Sequence, residues 1–263
     1  MRSALVALLA ASACTGVTSS PPGPTDPPVD PGPSSTRLAA RPLGSTTAPS
    51  GFYEYLPPGY PADGSARPLL VFWHGIGENG NGTSDLGKVL ANGPPRLIAR
   101  DAWPAERTFI VLSPQHPGGG CPSADEIDAF IGWAEGAYHV DAKRVFVTGL
   151  SCGAIGAWSY LDKYLATDVA AALLIAGDPG GTWAKRGCGL GAVALWSVHG
   201  DADGTVSITN DRTTMESLLA CPVPPARGAV WTEVAGGGHD TWTATYAGEH
   251  GDVYAWLLAH AKP

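Results

Sequence analysis

The residues best suited to chemistry lie at Gly149-Leu150-Ser151-Cys152-Gly153, a G-x-S-x-G pattern. In a chain with 35 glycines the pattern alone says little, so its flanks decide. An apolar run, Val145-Phe-Val-Thr148, leads straight into it, and a helical run, Ala154-Ile-Gly-Ala-Trp158, leaves it. A tight strand-to-helix turn lifts a serine hydroxyl above a sheet edge, and glycines are needed where its backbone crowds. The helix N-terminus beneath such a serine favours negative charge at the reacting centre. Ser151 therefore reads as a nucleophile, against the blander reading of a glycine-rich turn without chemistry.

A serine nucleophile needs a base, and the base needs an orienting carboxylate. Four histidines follow Ser151: His199, His239, His250 and His260. His199 ends an apolar run, while His250 and His260 lie just before and within the last helical segment. His239 follows Val230–Val234 through Gly236-Gly-Gly238, a loop suited to presenting a side chain at the edge of a sheet, and is the expected base. After Ala192–Trp196 come two acids, Asp201 and Asp203, either of which could orient it. An oxyanion formed at Ser151 needs two backbone N–H donors. One is expected from Cys152, the other from the glycine-rich stretch His74–Gly82.

These residues must be held by elements that the hydropathy pattern supplies. Pro68–Trp73, Thr108–Leu112, Arg144–Thr148, Ala170–Ile175, Ala192–Trp196 and Val230–Val234 read as buried strands. Ala124–Tyr138, Cys152–Tyr164, Ile208–Ala220 and Asp252–His260 read as helices, with Ile127, Phe130, Ile131 and Ala134 marking a core face. Strands alternating with helices predict an α/β protein with a mostly parallel sheet and helices on both faces.

Taken together, these segments resemble the α/β-hydrolase superfamily. The likeness is to its single-domain secreted carboxylesterases, grouped with phospholipase/carboxylesterase, polyhydroxybutyrate-depolymerase-like and "predicted peptidase" proteins. It rests on Tyr53-Glu-Tyr-Leu-Pro-Pro58, His74-Gly-Ile-Gly-Glu78, Asn92-Gly-Pro-Pro95, Ser113-Pro-Gln115, the serine turn, the Asp203 loop and Gly236-Gly-Gly-His239-Asp-Thr-Trp242. The resemblance implies a Ser151, Asp203, His239 triad, since H-G-x-x-D-x-x-V selects Asp203 and leaves Asp201 as a turn residue. It also implies Ile76 as the second oxyanion donor beside Cys152, and His74 as a hydrogen-bonder under the loop. Trp242 is expected to wall the substrate cleft, and no insertion is long enough for a substantial lid. The implied reaction is hydrolysis of a small or polymer-linked acyl ester through an acyl-enzyme, without metal or cofactor, in a monomer. A serine peptidase on the same triad, a polyester or feruloyl-type esterase, and a non-enzymatic surface-binding protein are the alternatives.

Charge and composition narrow the surroundings. Sixteen basic residues against 24 acidic ones leave no basic stripe for nucleic acid or anionic lipid. Arg2 and apolar Ala4–Ala11 read as a signal peptide over residues 1–14, and Ala11-Ser12-Ala13-Cys14 resembles a bacterial lipobox with alanine where leucine is usual. Cys14 is thus a lipidation candidate, the one expected membrane contact, for a cell-surface, periplasmic or otherwise secreted protein. Residues 15–50 are expected to be a disordered Pro/Ser/Thr-rich linker, since seven of the 24 prolines fall between Pro21 and Pro33, and 51–263 the catalytic domain. Four further cysteines in an exported chain suggest disulfides. Cys188–Cys221 would close a loop carrying Asp203, leaving Cys121–Cys152 or a buried free thiol at Cys152. Two other motifs are set aside. Gly75-x-Gly77-x-x-Gly80 resembles a dinucleotide fingerprint, but Gly82-Thr83-Ser84 points to a longer loop. Asp201-Ala-Asp203-Gly-Thr205 resembles an aspartyl phosphatase signature with too little chain after it.

Overall fold

A computed structural model describes residues 38–165, 169–222 and 228–263. Residues 1–14, with Cys14, and the linker residues up to 37 lie outside the described residues. The elements run Leu38–Arg41 (β1), Phe52–Tyr55 (β2), Arg67–Trp73 (β3), Gly93–Ala99 (α1), Ile110–Pro114 (β4), Ala124–Ala137 (α2), Val140–Leu150 (β5) and Cys152–Tyr164 (α3). They continue with Ala171–Ile175 (β6), Thr182–Arg186 (α4), Ala194–Gly200 (β7), Ile208–Leu219 (α5), Val230–Val234 (β8), Trp242–Ala247 (α6) and Val253–Leu258 (α7).

The eight strands of the described residues form one sheet in the order β1-β2-β4-β3-β5-β6-β7-β8. From β4 to β8 all pairs are parallel, while β1 and β2 run antiparallel at one edge. Central strands have no solvent face, so each is apolar on both sides. In β3, Leu69, Val71 and Trp73 face one core, with α2, α3 and α5. Leu70 and Phe72 face the other, with α1, α6 and α7. Val145 and Val147 alternate with Phe146 in the same way along β5. The expected mostly parallel sheet with helices on both faces is therefore what forms.

One boundary differs from expectation. Residues 38–50, assigned to the linker, belong to the folded unit: β1 pairs with β2 from Leu38↔Tyr55 to Arg41↔Phe52. Arg41 sits 2.6 Å from Glu54, and Trp133 Nε1 donates to Thr47 Oγ1 at 3.0 Å. A four-residue edge strand is held by backbone pairing and needs no apolar run, so a Pro/Ser/Thr-rich context hides it. The short helices α1 and α6 are likewise absent from the hydropathy reading.

Because the chain leaves β3 toward β4 and leaves its neighbour β5 toward β6, in opposite directions, a crevice opens at the carboxyl ends of β3 and β5. Two disulfides cross-link the described residues. Cys121–Cys152 ties the segment after β4 to the first residue of α3, and Cys188–Cys221 closes a 33-residue separation containing β7, Asp203 and α5. Replacing Cys188 and Cys221 by serine should lower the unfolding free energy by about 3 kcal/mol in urea titrations. Non-reducing peptide mapping should recover the 121–152 and 188–221 links, with no free thiol at Cys152.

Candidate active site

Strand β5 enters α3 through Ser151, whose backbone takes φ +49° and ψ −119°. A non-glycine residue in the left-handed half of the map stores about 1–3 kcal/mol of strain. The turn is pinned by Ser151 N–H donating to the Ile175 carbonyl of β6 at 2.9 Å and by Ile155 N–H donating to the Ser151 carbonyl at 2.9 Å. Both glycines of the motif are sterically required. A Cβ at Gly153 would lie 2.1 Å from the Trp73 carbonyl oxygen, and one at Gly149 would lie 2.6 Å from the Gly153 carbonyl carbon.

The structure brings Ser151, His239 and Asp203 into one hydrogen-bonded row. Ser151 Oγ lies 2.9 Å from His239 Nε2, and His239 Nδ1 lies 2.7 Å from Asp203 Oδ2. Asp203 Oδ1 accepts the Thr205 and Val206 N–H groups at 2.8 and 3.0 Å. Burial works to raise the Asp203 pKa, but the His239 hydrogen bond and these two amides outweigh it and hold it below the ordinary carboxylate value. Asp201 does not reach His239; its Oδ1 accepts the Gly236 N–H at 2.6 Å. That bond, with Ala202 N–H donating to Gly237 O at 2.9 Å, clasps the loop carrying Asp203 to the loop carrying His239. A Cβ at Gly200 would sit 2.2 Å from Gly237 O, so the clasp needs glycine there. Asp240 binds Thr243 at the start of α6, while His250 Nδ1 meets Thr245 and His260 Nδ1 meets Trp256 O.

Cys152 opens α3 and Ile76 opens a short 3₁₀ turn, so both N–H groups belong to the set that a helix start leaves without an internal acceptor. Ile76 and Ser151 line the same cleft. The Ile76 loop is held from below by buried polar side chains. His74 donates Nδ1–H to Gly75 O at 2.7 Å and accepts the His116 N–H at Nε2 at 2.9 Å. Those partners require a neutral ring, and burial pushes its pKa down to about 4. Gln115 donates to the Glu78 and Asp85 carbonyls at 2.9 and 3.0 Å and accepts the Gly82 N–H at 2.8 Å.

The cleft has a volume of about 500 Å³, with Ile76, Ala91, Leu150, Thr205 and Trp242 among its walls. The Trp242 ring stands edge-on to His239 at 5.0 Å and donates Nε1–H to Asn92 Oδ1 at 3.2 Å. Asn92 in turn hydrogen-bonds Glu78, a carboxyl whose pKa burial raises. The roles of Gln115, Asn92 and Glu78 went unread in the sequence, although all three stand in motifs that carry the family resemblance. Among the described residues no cluster of three or more His, Cys, Asp or Glu side chains could hold a metal ion.

No protein-family model and no curated protein sequence matches the chain. Solved structures do. The chain is similar to a thermostable esterase (22% identity, TM-score 0.61), covering 85% of this chain and 62% of that one. It is similar to the feruloyl esterase module from Clostridium thermocellum, solved as a mutant with sinapinate (18% identity, TM-score 0.60, 83% and 87% covered). It is also similar to the acetyl xylan esterase from Aspergillus awamori (18% identity, TM-score 0.56, 80% and 98% covered). The sheet order, the strained serine turn and these likenesses make the fold that of the α/β-hydrolases.

His74 generates a pH dependence. Between its ordinary value near 6.5 and about 4, the unfolded chain takes up a proton that the folded protein refuses. Stability therefore falls as pH drops through that window, by roughly 3 kcal/mol from this group. Urea unfolding from pH 7 to 4.5 should show this fall, and His74→Gln, which cannot titrate, should show a correspondingly smaller one.

Proposed function

We propose that the protein is an exported serine esterase that cleaves carboxylic esters through an acyl-enzyme. The observation that carries this is the hydrogen-bonded row from Ser151 through His239 to Asp203 at the mouth of an open cleft. Ser151 Oγ attacks the ester carbonyl carbon as His239 Nε2 takes the hydroxyl proton. Asp203 holds the ring so that Nε2 faces the serine and stabilises the imidazolium that forms. The oxyanion is received by the Ile76 and Cys152 amides. As the intermediate collapses, His239 gives its proton to the departing alcohol. Water then repeats the sequence on the acyl-enzyme, releasing the acid and returning the proton to Ser151.

The connections over the cleft carry no long helical insertion among the described residues, which supports bulky or polymer-linked esters. The likeness to a feruloyl esterase module and an acetyl xylan esterase supports short or aromatic acyl groups on a larger alcohol. Trp242, beside His239, is then the wall against which the acyl or alcohol group stacks. Two disulfides fit an oxidising compartment. No described helix is long and apolar enough to cross a membrane, and attachment would come through lipid on Cys14. The protein acts as a monomer, without metal or cofactor.

Ser151→Ala should abolish hydrolysis of p-nitrophenyl acetate and labelling by a fluorophosphonate probe while leaving thermal unfolding unchanged. Asp203→Asn should cost about 10³–10⁴ in kcat. Asp201→Asn should cost far less. Retained activity in Ser151→Ala would refute the assignment. Acetyl, butyryl, feruloyl, polyester and peptide substrates assayed side by side decide the acyl class and separate esterase from peptidase.

A further inference from the structure

Behind Asp203 lies a second histidine–carboxylate pair that the hydrolytic scheme does not use. His199, near the end of β7, and Asp211, on α5, both have fully buried side chains. His199 Nδ1 lies 3.0 Å from Asp211 Oδ2. On the other side of the ring, His199 Nε2 lies 3.2 Å from Asp203 Oδ2 and 3.1 Å from the Val206 carbonyl oxygen. Ser197, two residues earlier on the same strand, places its hydroxyl 2.8 Å from Asp211 Oδ2. The row thus runs from the cleft into the core through Ser151, His239, Asp203, His199, Asp211 and Ser197.

The protonation of this row follows from its partners. His199 Nε2 meets only acceptors, a carboxylate oxygen and a carbonyl oxygen, so an unprotonated Nε2 would bury facing lone pairs with nothing between them. Nε2 therefore carries a proton. At Nδ1 the ring and Asp211 share one more proton, bound to the histidine or to the carboxyl. Either placement leaves the Nε2–H donating to the Val206 carbonyl oxygen with Asp203 Oδ2 beside it. Desolvation raises the Asp211 pKa, against the pull of His199, and disfavours a bare carboxylate there. Desolvation also works against a charged His199 ring, but Asp211, the Val206 carbonyl and Asp203 together outweigh it and hold the ring's pKa up, which keeps a proton within the pair. The other groups facing the pair are His239 across Asp203, and Asp178 after β6, which acts on Asp211.

Asp203 consequently receives three N–H donors, Thr205 and Val206 on Oδ1 and His239 on Oδ2, with His199 Nε2 standing 3.2 Å from Oδ2. The first two arise from its own turn. His199 supplies a hold from the sheet itself. We propose that His199, fixed by Asp211, is a positioning residue for the hydrolytic reaction: its Nε2–H holds the Val206 carbonyl of the Asp203 turn and stands 3.2 Å from Asp203 Oδ2, and so sets the direction in which the triad carboxylate presents itself. This rests on the esterase reading and adds to it a residue that touches neither substrate nor reacting atoms.

The test compares two variants of the full chain. Replacing His199 and Asp211 together by leucine removes the clamp without leaving a lone buried carboxyl. It should lower kcat for p-nitrophenyl acetate, and the rate of fluorophosphonate labelling, by about ten- to a hundredfold with KM within about threefold of wild type. His199→Gln, whose amide can still donate to the Val206 carbonyl beside Asp203, should recover kcat to within about threefold of wild type. Unchanged kcat in the double variant, a loss confined to KM, or no recovery with glutamine would overturn the proposal. Should the double variant fail to fold, ring ¹⁵N spectra of the wild-type protein decide. His199 Nε2 should stay protonated from pH 5 to 9, and an unprotonated Nε2 at pH 7 would overturn the clamp. A wild-type protein inert to both ester and fluorophosphonate would instead overturn the esterase reading, with the ring spectra still deciding the contact.

Discussion

The structure depends on how closely β5, α3 and the end of β3 approach one another at Ser151. The strand must turn into the helix within one residue, and that residue takes a left-handed backbone with a side chain on it. The strain is offset because the neighbours leave no other path: the Trp73 carbonyl oxygen occupies the place a side chain at 153 would need, and Gly149 lies against the Gly153 backbone. Once this crossing is made, the serine hydroxyl stands clear of the sheet, and the first amide of α3 has no internal acceptor. The close-packed strands on either side, Leu69–Trp73 and Val145–Leu150, hold the crossing rigid.

Around that fixed point, buried polar groups do what apolar packing does elsewhere. The loop bearing Ile76 has glycines at 75, 77, 80 and 82 and would be mobile by itself. A neutral His74 and the buried Gln115 satisfy its carbonyls and amides from beneath. The loops bearing Asp203 and His239 are joined by Asp201 and by the close contact of Gly200 with Gly237. Cys121–Cys152 adds a covalent tie at the first residue of α3. Each device fixes a backbone rather than a reacting atom, which suits chemistry that needs donors in place before charge develops.

Much of this was legible in the residues. The serine turn could be read because steric crowding demands glycine at fixed offsets, and because the strand before it and the helix after it are long enough to show their periods. The parallel sheet was legible from its apolar runs. Strand β1 was not, since an edge strand draws its stability from backbone pairing rather than from side-chain pattern. Nor was the His199–Asp211 pair. Its signal was present, because Asp211 falls on the buried stripe of α5 with Ile208, Met215 and Leu218, where a carboxylate needs a partner. The partner's identity lay twelve residues back on another element.

The sequence by itself determined the fold class, the strand-to-helix turn at Ser151 and the placement of His239 and Asp203 on loops after later strands. These follow from local sterics, hydropathy period and chain order, all properties of short stretches. Only the tertiary structure decided that Asn92 bridges Glu78 and Trp242, and that His199 stands behind the Asp203 carboxylate. Those choices turn on differences of a few ångströms between side chains 4 to 150 residues apart. Such distances are set by how strands register and loops cross, and no local pattern encodes them.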